Sequence, residues 1–269
     1  MTATHPFDSA IALQPQGEGG WQGRTHPAYA NMIGPYGGIT AAQVLNAVLR
    51  HPDRLGEPLA LTINYAAAVA DGDFELRPRA ARTNRSTQHW TVDMVQAGQV
   101  VVTATVVTAV RRDTWGGHEA AMPPVPRPLD TPRTPRQGVE WLHRYEMRFL
   151  EGRIPAKWEG QTSAGSLTRL WLRDDPPRPL DFASLAAMAD IFFPRVWLRR
   201  ATFVPIGTVS MTVYFHADAV QLAAAGTGFL LAQAQGQGFA GGFFDHTGQL
   251  WDEAGALLAT THQVVYYRE

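Results

Sequence analysis

Residues 182–193 read FASLAAMADIFF, and residues 37–51 read GGITAAQVLNAVLRH. Each stretch has the length of a short helix, is apolar on almost every side, and is followed by a proline, Pro194 or Pro52. A helix that has no polar face must be buried all round, and a curved antiparallel sheet is the natural enclosure. The sequence therefore predicts two buried helices wrapped by sheet, which a β-sandwich would leave unexplained.

Several predicted strands follow each helix, so the two halves of the chain resemble each other. Apolar residues alternate with polar ones, as expected of half-buried strands: Leu59, Leu61, Ile63 and Tyr65 in the first half, and Val209, Met211, Val213 and Phe215 in the second. Turns are predicted at residues 96–99 and 245–248. Each half closes on a long strand, VVTATVVTAVR at 101–111 and ATTHQVVYYR at 259–268.

A proline-rich stretch separates the halves, with PPVPRPLDTPRTP at residues 123–135. Proline fixes φ and removes a backbone donor, so this stretch cannot join a central strand or continue a helix. We predict a first unit at residues 1–112, a surface linker at 113–137 and a second unit at 138–269. The linker is expected to cross the sheet, with Trp115 and Trp141 as apolar anchors.

Composition excludes several classes of function. The net charge of −1 gives no electrostatic reason to bind nucleic acid or an anionic membrane, so a small-molecule partner is favoured. Without cysteine, the chain has no disulfide framework, thiol nucleophile or thiolate metal site. Its start lacks the pattern of a signal peptide, and no apolar run approaches the ~20 residues of a membrane span, so a cytoplasmic protein is expected. The nine histidines are scattered, which predicts no metal site.

Four stretches together resemble the double-hotdog acyl-CoA thioesterases of the thioesterase II type: PYGG at 35–38, AAMADIFF at 186–193, TVSMTVYFH at 208–216 and ATTHQVVYYR at 259–268. The resemblance extends over residues 21–268. It implies an α+β double hotdog, in which two fused hotdog units wrap one antiparallel sheet around two central helices. It also implies hydrolysis of acyl-CoA without a cofactor, a place in fatty acid metabolism, and a homodimer or higher homo-oligomer.

The resemblance further implies that Asp190, Thr208 and Gln263 hold the hydrolytic water. Where family members often have an Asp-His pair after the threonine, this chain has Ser210 and Met211.

The residues themselves support these positions to different degrees. Asp190 is a carboxylate in an apolar helix, so burial should raise its pKa, unless it is solvated at the helix end. Gln263 is polar where the aligned residue of the first half is Val106, although an exposed amide on a strand is common. Thr208 falls by parity on the polar side of its strand and can face the helix only if the strand twists or bulges. It can also be an ordinary strand threonine.

Two further sites are candidates for binding. Gly37 and Gly38 could offer unobstructed backbone N–H groups to the oxyanion of a thioester, or could simply form a tight turn before the helix. Arg195, Arg199 and Arg200 could contact phosphates of coenzyme A, or could be solvated surface charges.

Two other functions remain open. A hotdog enoyl-CoA hydratase would carry a local Asp/His catalytic pair in a polar loop, typically with an Asn-Pro and a following His, and the sequence has no such pattern. A non-catalytic module that binds or senses acyl-CoA would share the fold without the reaction.

Overall fold

The computed structural model describes residues 4–17 and 19–269 and contains a single 12-stranded antiparallel sheet. In the first half the strands are β1 Gln14–Gln16, β2 Gly20–Arg24, β3 Glu57–Tyr65, β4 Asp73–Thr83, β5 Thr87–Gln96 and β6 Gln99–Ala109. In the second half they are β7 Tyr145–Glu151, β8 Thr168–Asp174, β9 Ile206–Phe215, β10 Leu230–Ala240, β11 Phe243–Trp251 and β12 Leu257–Tyr267. Their order is β1-β2-β4-β5-β6-β3-β9-β12-β11-β10-β8-β7.

The two halves join edge to edge through β3 and β9. Thr62 lies opposite Thr212 at the middle of this pair, and their hydroxyl oxygens are 3.0 Å apart. The pairing is symmetric about that point, because Leu61 pairs with Val213 and Ile63 pairs with Met211. The strand order is also equivalent on the two sides, because β6, β5 and β4 follow β3 as β12, β11 and β10 follow β9, so the halves are related by a local two-fold axis.

The helices are α1 Pro6–Ala10, α2 Gly37–Leu49, α3 Phe182–Met188, α4 Arg195–Arg200 and α5 Ala219–Ala225. All of α3 and most of α2 are buried in one core together with residues from strands of both halves. This arrangement confirms the predicted α+β double hotdog. No helix of the described residues has the length and apolar character needed to cross a membrane.

Helix α3 is shorter than the sequence pattern indicated. Its start is capped by Asp181, whose carboxylate accepts from the Ser184 N–H at 2.8 Å. At the other end the Asp190 N–H donates to Ala187 O rather than one residue further back, which tightens the chain into a turn. The helix predicted over residues 182–193 is therefore too long, and Asp190 lies just beyond the end of α3.

The proline-rich stretch crosses the second half of the sheet, although not by both expected anchors. Trp115 is 93% exposed, so that prediction is wrong, whereas Trp141 is buried. The contacts come from indoles of the sheet instead: Trp171 donates to Pro126 O at 2.9 Å and Trp251 donates to Ala120 O at 3.1 Å. Two backbone carbonyls of the stretch thus accept hydrogen bonds from the sheet and hold the stretch against it.

One predicted turn is correct and the other is wrong. Ala97 and Gly98 both have positive φ and connect β5 to β6. Residues 245–248 instead lie inside β11, between a turn at Gly241-Gly242 and another at residues 252–255. Gly248 serves packing here, because a Cβ at this position would be 2.9 Å from the Phe192 ring.

Candidate active site

A cavity of about 640 Å³ opens where the start of α2 meets the chain leaving α3. It is lined mainly by aromatic and aliphatic side chains from both halves of the molecule. Its polar side chains include Asn31, Thr40, Tyr65, Asp190, Thr208, His246 and Gln263. A largely apolar cavity with a few converging polar groups is typical of a small-molecule site.

Asp190 and Gln263 meet directly at this cavity. The Gln263 Nε2 donates to Asp190 Oδ1 at 2.8 Å and contacts Met211 Sδ at 3.3 Å. Gln263 is 2% exposed and Met211 is fully buried, so the amide is held firmly against the carboxylate. Both groups are close enough to contact one shared water.

The carboxylate of Asp190 lies between two helix ends. It follows the C-terminal end of α3 and faces the first turn of α2, whose N-cap residue Tyr36 offers no capping side chain. Burial raises the pKa of Asp190 to about 7, against the opposing effects of the Gln263 hydrogen bond and the Gly38 backbone N–H. The positive end of the α2 dipole also favours the charged form. The group is thus balanced between its two protonation states near neutral pH.

Thr208 faces the cavity because β9 contains a bulge. Val264 pairs with Ser210, but the next residue, Val265, pairs with Thr208, so Val209 is the extra residue. Val209 is displaced outward and 38% exposed, while Thr208 lines the cavity beside buried Val265. This is the irregularity that the strand parity required.

Gly37 and Gly38 lie where the start of α2 comes close to α3 and Asp190. A Cβ on Gly37 would be 2.8 Å from Asp190 Oδ2, and one on Gly38 would be 2.4 Å from Ala187 O. The Tyr65 hydroxyl donates to Gly37 O at 2.7 Å. Glycine at position 38 is therefore required for contact between the helices, and the Gly38 N–H donates to the Asp190 carboxylate.

The two-fold axis identifies the counterparts of these residues in the first half. Leu61 and Val106 form the pair that corresponds to Met211 and Gln263, and Val106 is the counterpart of Gln263 that the sequence predicted. The same bulge occurs at Leu59, which makes Pro58 the counterpart of Thr208. The first half thus has apolar side chains where the second half has the amide and the hydroxyl.

The arginines after α3 do not form a common surface. Arg195 is 0% exposed, and its guanidinium donates to Ser166 O at 2.8 Å, Thr168 Oγ1 at 2.7 Å and Phe193 O. It cannot contact a phosphate at the surface, so that expectation is wrong. Arg199 donates to Ala164 O, and exposed Arg200 pairs with Glu269.

His246 is a cavity residue that the sequence pattern did not predict. It is 2% exposed and lies opposite Gln263 on the neighbouring strand, and within residues 4–17 and 19–269 neither of its ring nitrogens has a hydrogen-bond partner. A turn was wrongly predicted at residues 245–248, so His246 was not assigned to a strand. Strand parity with buried Phe244 and Leu250 could have revealed its inward direction.

Within the part of the chain that the structure describes, no three His, Cys, Asp or Glu side chains lie in a group that could hold a metal ion.

Family models match both halves of the chain. The model of the acyl-CoA thioesterase N-terminal domain matches residues 26–109, and that of the C-terminal domain matches residues 119–267. No curated protein is similar enough to be counted as a match.

Solved structures share the fold over almost the full length. A hot dog fold protein of unknown function from Alicyclobacillus acidocaldarius is 46% identical, with 99% of each chain covered and a TM-score of 0.94. A thioesterase II, described as putative, from Thermobifida fusca is 20% identical, with 100% of each chain covered and a TM-score of 0.83. An acyl-CoA thioesterase II from Mycobacterium marinum is 19% identical, with 97% of this chain and 98% of that chain covered and a TM-score of 0.76. The last two likenesses, at this identity, show the fold alone.

Proposed function

The chain belongs to the acyl-CoA thioesterase family, and on that premise we propose that it hydrolyses an acyl-CoA to a free acid and coenzyme A. The observation that carries the proposal is the Asp190–Gln263 contact at the wall of an apolar cavity. A buried carboxylate whose pKa is near the working pH is suited to accept a proton from water.

The reaction uses the water as nucleophile. Asp190 accepts a proton from a water that Gln263 and Thr208 orient, and the oxygen bonds to the thioester carbonyl carbon. The Gly37 N–H stabilises the resulting oxyanion at the start of α2. When the intermediate collapses, the C–S bond breaks and the proton on Asp190 passes to the departing sulfur. No acyl-enzyme forms.

The cavity supports an acyl substrate by its composition. Phe192, Phe193, Trp197 and Phe244 line it beyond the carboxylate. An acyl chain placed against these side chains gains ~25 cal/mol for each Å² of apolar surface removed from water. The thioester would then lie beside Asp190 with coenzyme A directed outward, where Arg199 and Arg200 remain candidates for its phosphates.

A matched pair of variants tests the base. Asp174 is a second buried carboxylate whose pKa burial raises to about 7, and it hydrogen-bonds to Ser184 outside the cavity. Against a panel of acyl-CoA esters assayed by thiol release, Asp190→Asn should lower kcat by a factor of about 100 or more. Asp174→Asn should keep wild-type turnover. Equal activity of the two variants would contradict the assignment of the base.

The direct role of water has its own test. In a single turnover in water labelled with heavy oxygen, the label should appear in the acid product and not in the enzyme. Label in the Asp190 carboxylate would indicate an acyl-aspartate intermediate instead. Tight binding of CoA esters with no thiol release from any of them would favour a binding or sensing module.

A further inference from the structure

His246 is a polar group in the acyl cavity that the proposed reaction does not use. Its imidazole lines the cavity, and neither Nδ1 nor Nε2 has a hydrogen-bond partner among the residues that the structure describes. Leaving a buried polar group unpaired costs about 1–3 kcal/mol. Such a cost is expected where the missing partner is supplied by a ligand.

The first half shows what this position looks like without a site. The two-fold axis makes Trp90 the counterpart of His246, since Trp90 pairs with Val106 as His246 pairs with Gln263. Trp90 is also buried, but its indole N–H donates to Thr108 Oγ1 at 3.4 Å. The first half therefore has a hydrogen-bonded indole at the position where the second half has an imidazole facing the cavity.

The imidazole is uncharged, which limits what it can bind. Burial, followed by the nearby Arg195 charge, lowers the pKa of His246 well below its ordinary value. A neutral imidazole has one donor and one acceptor nitrogen. It can therefore pair with a neutral oxygen, because the hydroxyl of an alcohol can donate or accept and the carbonyl of a ketone can accept.

The position of His246 sets where on the substrate that oxygen lies. Neighbouring strands are about 4.8 Å apart, so His246 is one strand spacing from the amide that orients the water. The Phe192 ring packs edge-on against the imidazole, with ring centroids 5.8 Å apart, and limits its movement. An acyl chain leaving the carbonyl along β11 would pass the imidazole within its first few carbons.

We propose that His246 is a specificity residue which hydrogen-bonds a hydroxyl or oxo oxygen on one of the first carbons of the acyl group. The inference rests on the proposed thioesterase function and names its substrate class: acyl-CoA esters oxygenated near the thioester. A site built around a hydrogen bond discriminates strongly against the analogue that lacks the oxygen, because its own polar group is then left unpaired.

Matched substrates provide the test. Hexanoyl-CoA is compared with its hydroxyl derivatives at carbons 2 to 5 and with the oxo derivatives at the same carbons. The wild type should prefer at least one derivative over the plain ester by about tenfold or more in kcat/KM, which is the effect of one hydrogen bond. His246→Phe should reduce that ratio to near one. Trp90→Phe, at the equivalent position of the first half, should leave the ratio unchanged.

A second measurement does not depend on how the variant folds. Nitrogen NMR of wild-type protein labelled in its histidines would follow the His246 imidazole while thioether analogues of the plain and oxygenated esters bind. Only the oxygenated analogue should shift it. A preference ratio near one at every position, or equal shifts with both analogues, would overturn the inference. If no ester is hydrolysed, the proposed function fails, and the NMR comparison still decides the role of His246.

Discussion

Replacing Asp190 with asparagine should lower kcat about 100-fold or more and yet stabilise the protein at alkaline pH. Burial raises the pKa of this carboxyl from 3.8 to about 7. The folded protein therefore holds the Asp190 proton more tightly than the unfolded chain does. Below its ordinary pKa the carboxyl is protonated in both the folded and the unfolded chain and does not destabilise the fold. As the pH rises toward 7, only the unfolded chain releases the proton readily, so the free energy of unfolding falls.

The size of the effect follows from the shift. At about 1.4 kcal/mol for each pKa unit, ionised Asp190 costs up to ~4 kcal/mol above pH 7. The cavity exposes part of the side chain to solvent, which reduces this figure. An asparagine can still accept from Gln263, but its NH₂ group would face the Gly38 N–H, which offsets about 1 kcal/mol. A net gain of about 1–3 kcal/mol is expected at high pH.

Urea unfolding of both proteins at about pH 4.5 and about pH 8.5 measures the difference. Asp190→Asn should be the more stable protein at the higher pH, with little or no advantage at the lower pH. The same stability difference at both pH values would refute the view that a buried charge is what the substitution removes. Loss of activity without the pH-dependent gain would leave the base assignment standing and place the carboxylate in a more hydrated environment.

Three other substitutions or conditions have definite expected outcomes. The kcat/KM should rise about tenfold per pH unit below 7 and level off above it, because Asp190 must be ionised to act as base; a profile flat from pH 5 to 9 would contradict this. Asp174→Asn should raise the melting temperature at pH 8 and not at pH 4, as the same raised pKa of about 7 requires, and calorimetry at the two pH values checks it. Gly37→Ala should lower kcat while the protein still folds, because the new Cβ would meet Asp190 Oδ2 at 2.8 Å; an unchanged kcat would show that the carboxylate need not hold this position.

Periodicity sufficed to predict the two buried helices and the long closing strands, because burial on all sides leaves a strong trace in composition. The end of α3 was harder, since an Ala187 carbonyl that accepts from Asp190 leaves no sequence signal. The bulge at Val209 could be stated only as a condition on Thr208, because bulges depend on the register of neighbouring strands.

The cavity wall was predictable only in part. Asp190 and Gln263 are polar residues among apolar neighbours, so the sequence itself draws attention to them. His246 lies in a segment with Asp, Thr and Gly, the composition of a turn, but the segment is extended because it pairs with both β10 and β12, and Phe192 packs against Gly248. The burial of Arg195 likewise depends on backbone carbonyls from distant parts of the chain.

The seam at Thr62 and Thr212 makes the halves interdependent. Cutting the chain in the proline-rich stretch and separating the pieces would expose an unpaired edge at β3 on one fragment and at β9 on the other. Unpaired strand edges pair with other chains, so both fragments are expected to aggregate. The cut would also separate Gly37 from Asp190, so neither fragment would contain the whole candidate active site. The two halves are therefore expected to fold and act only as one unit.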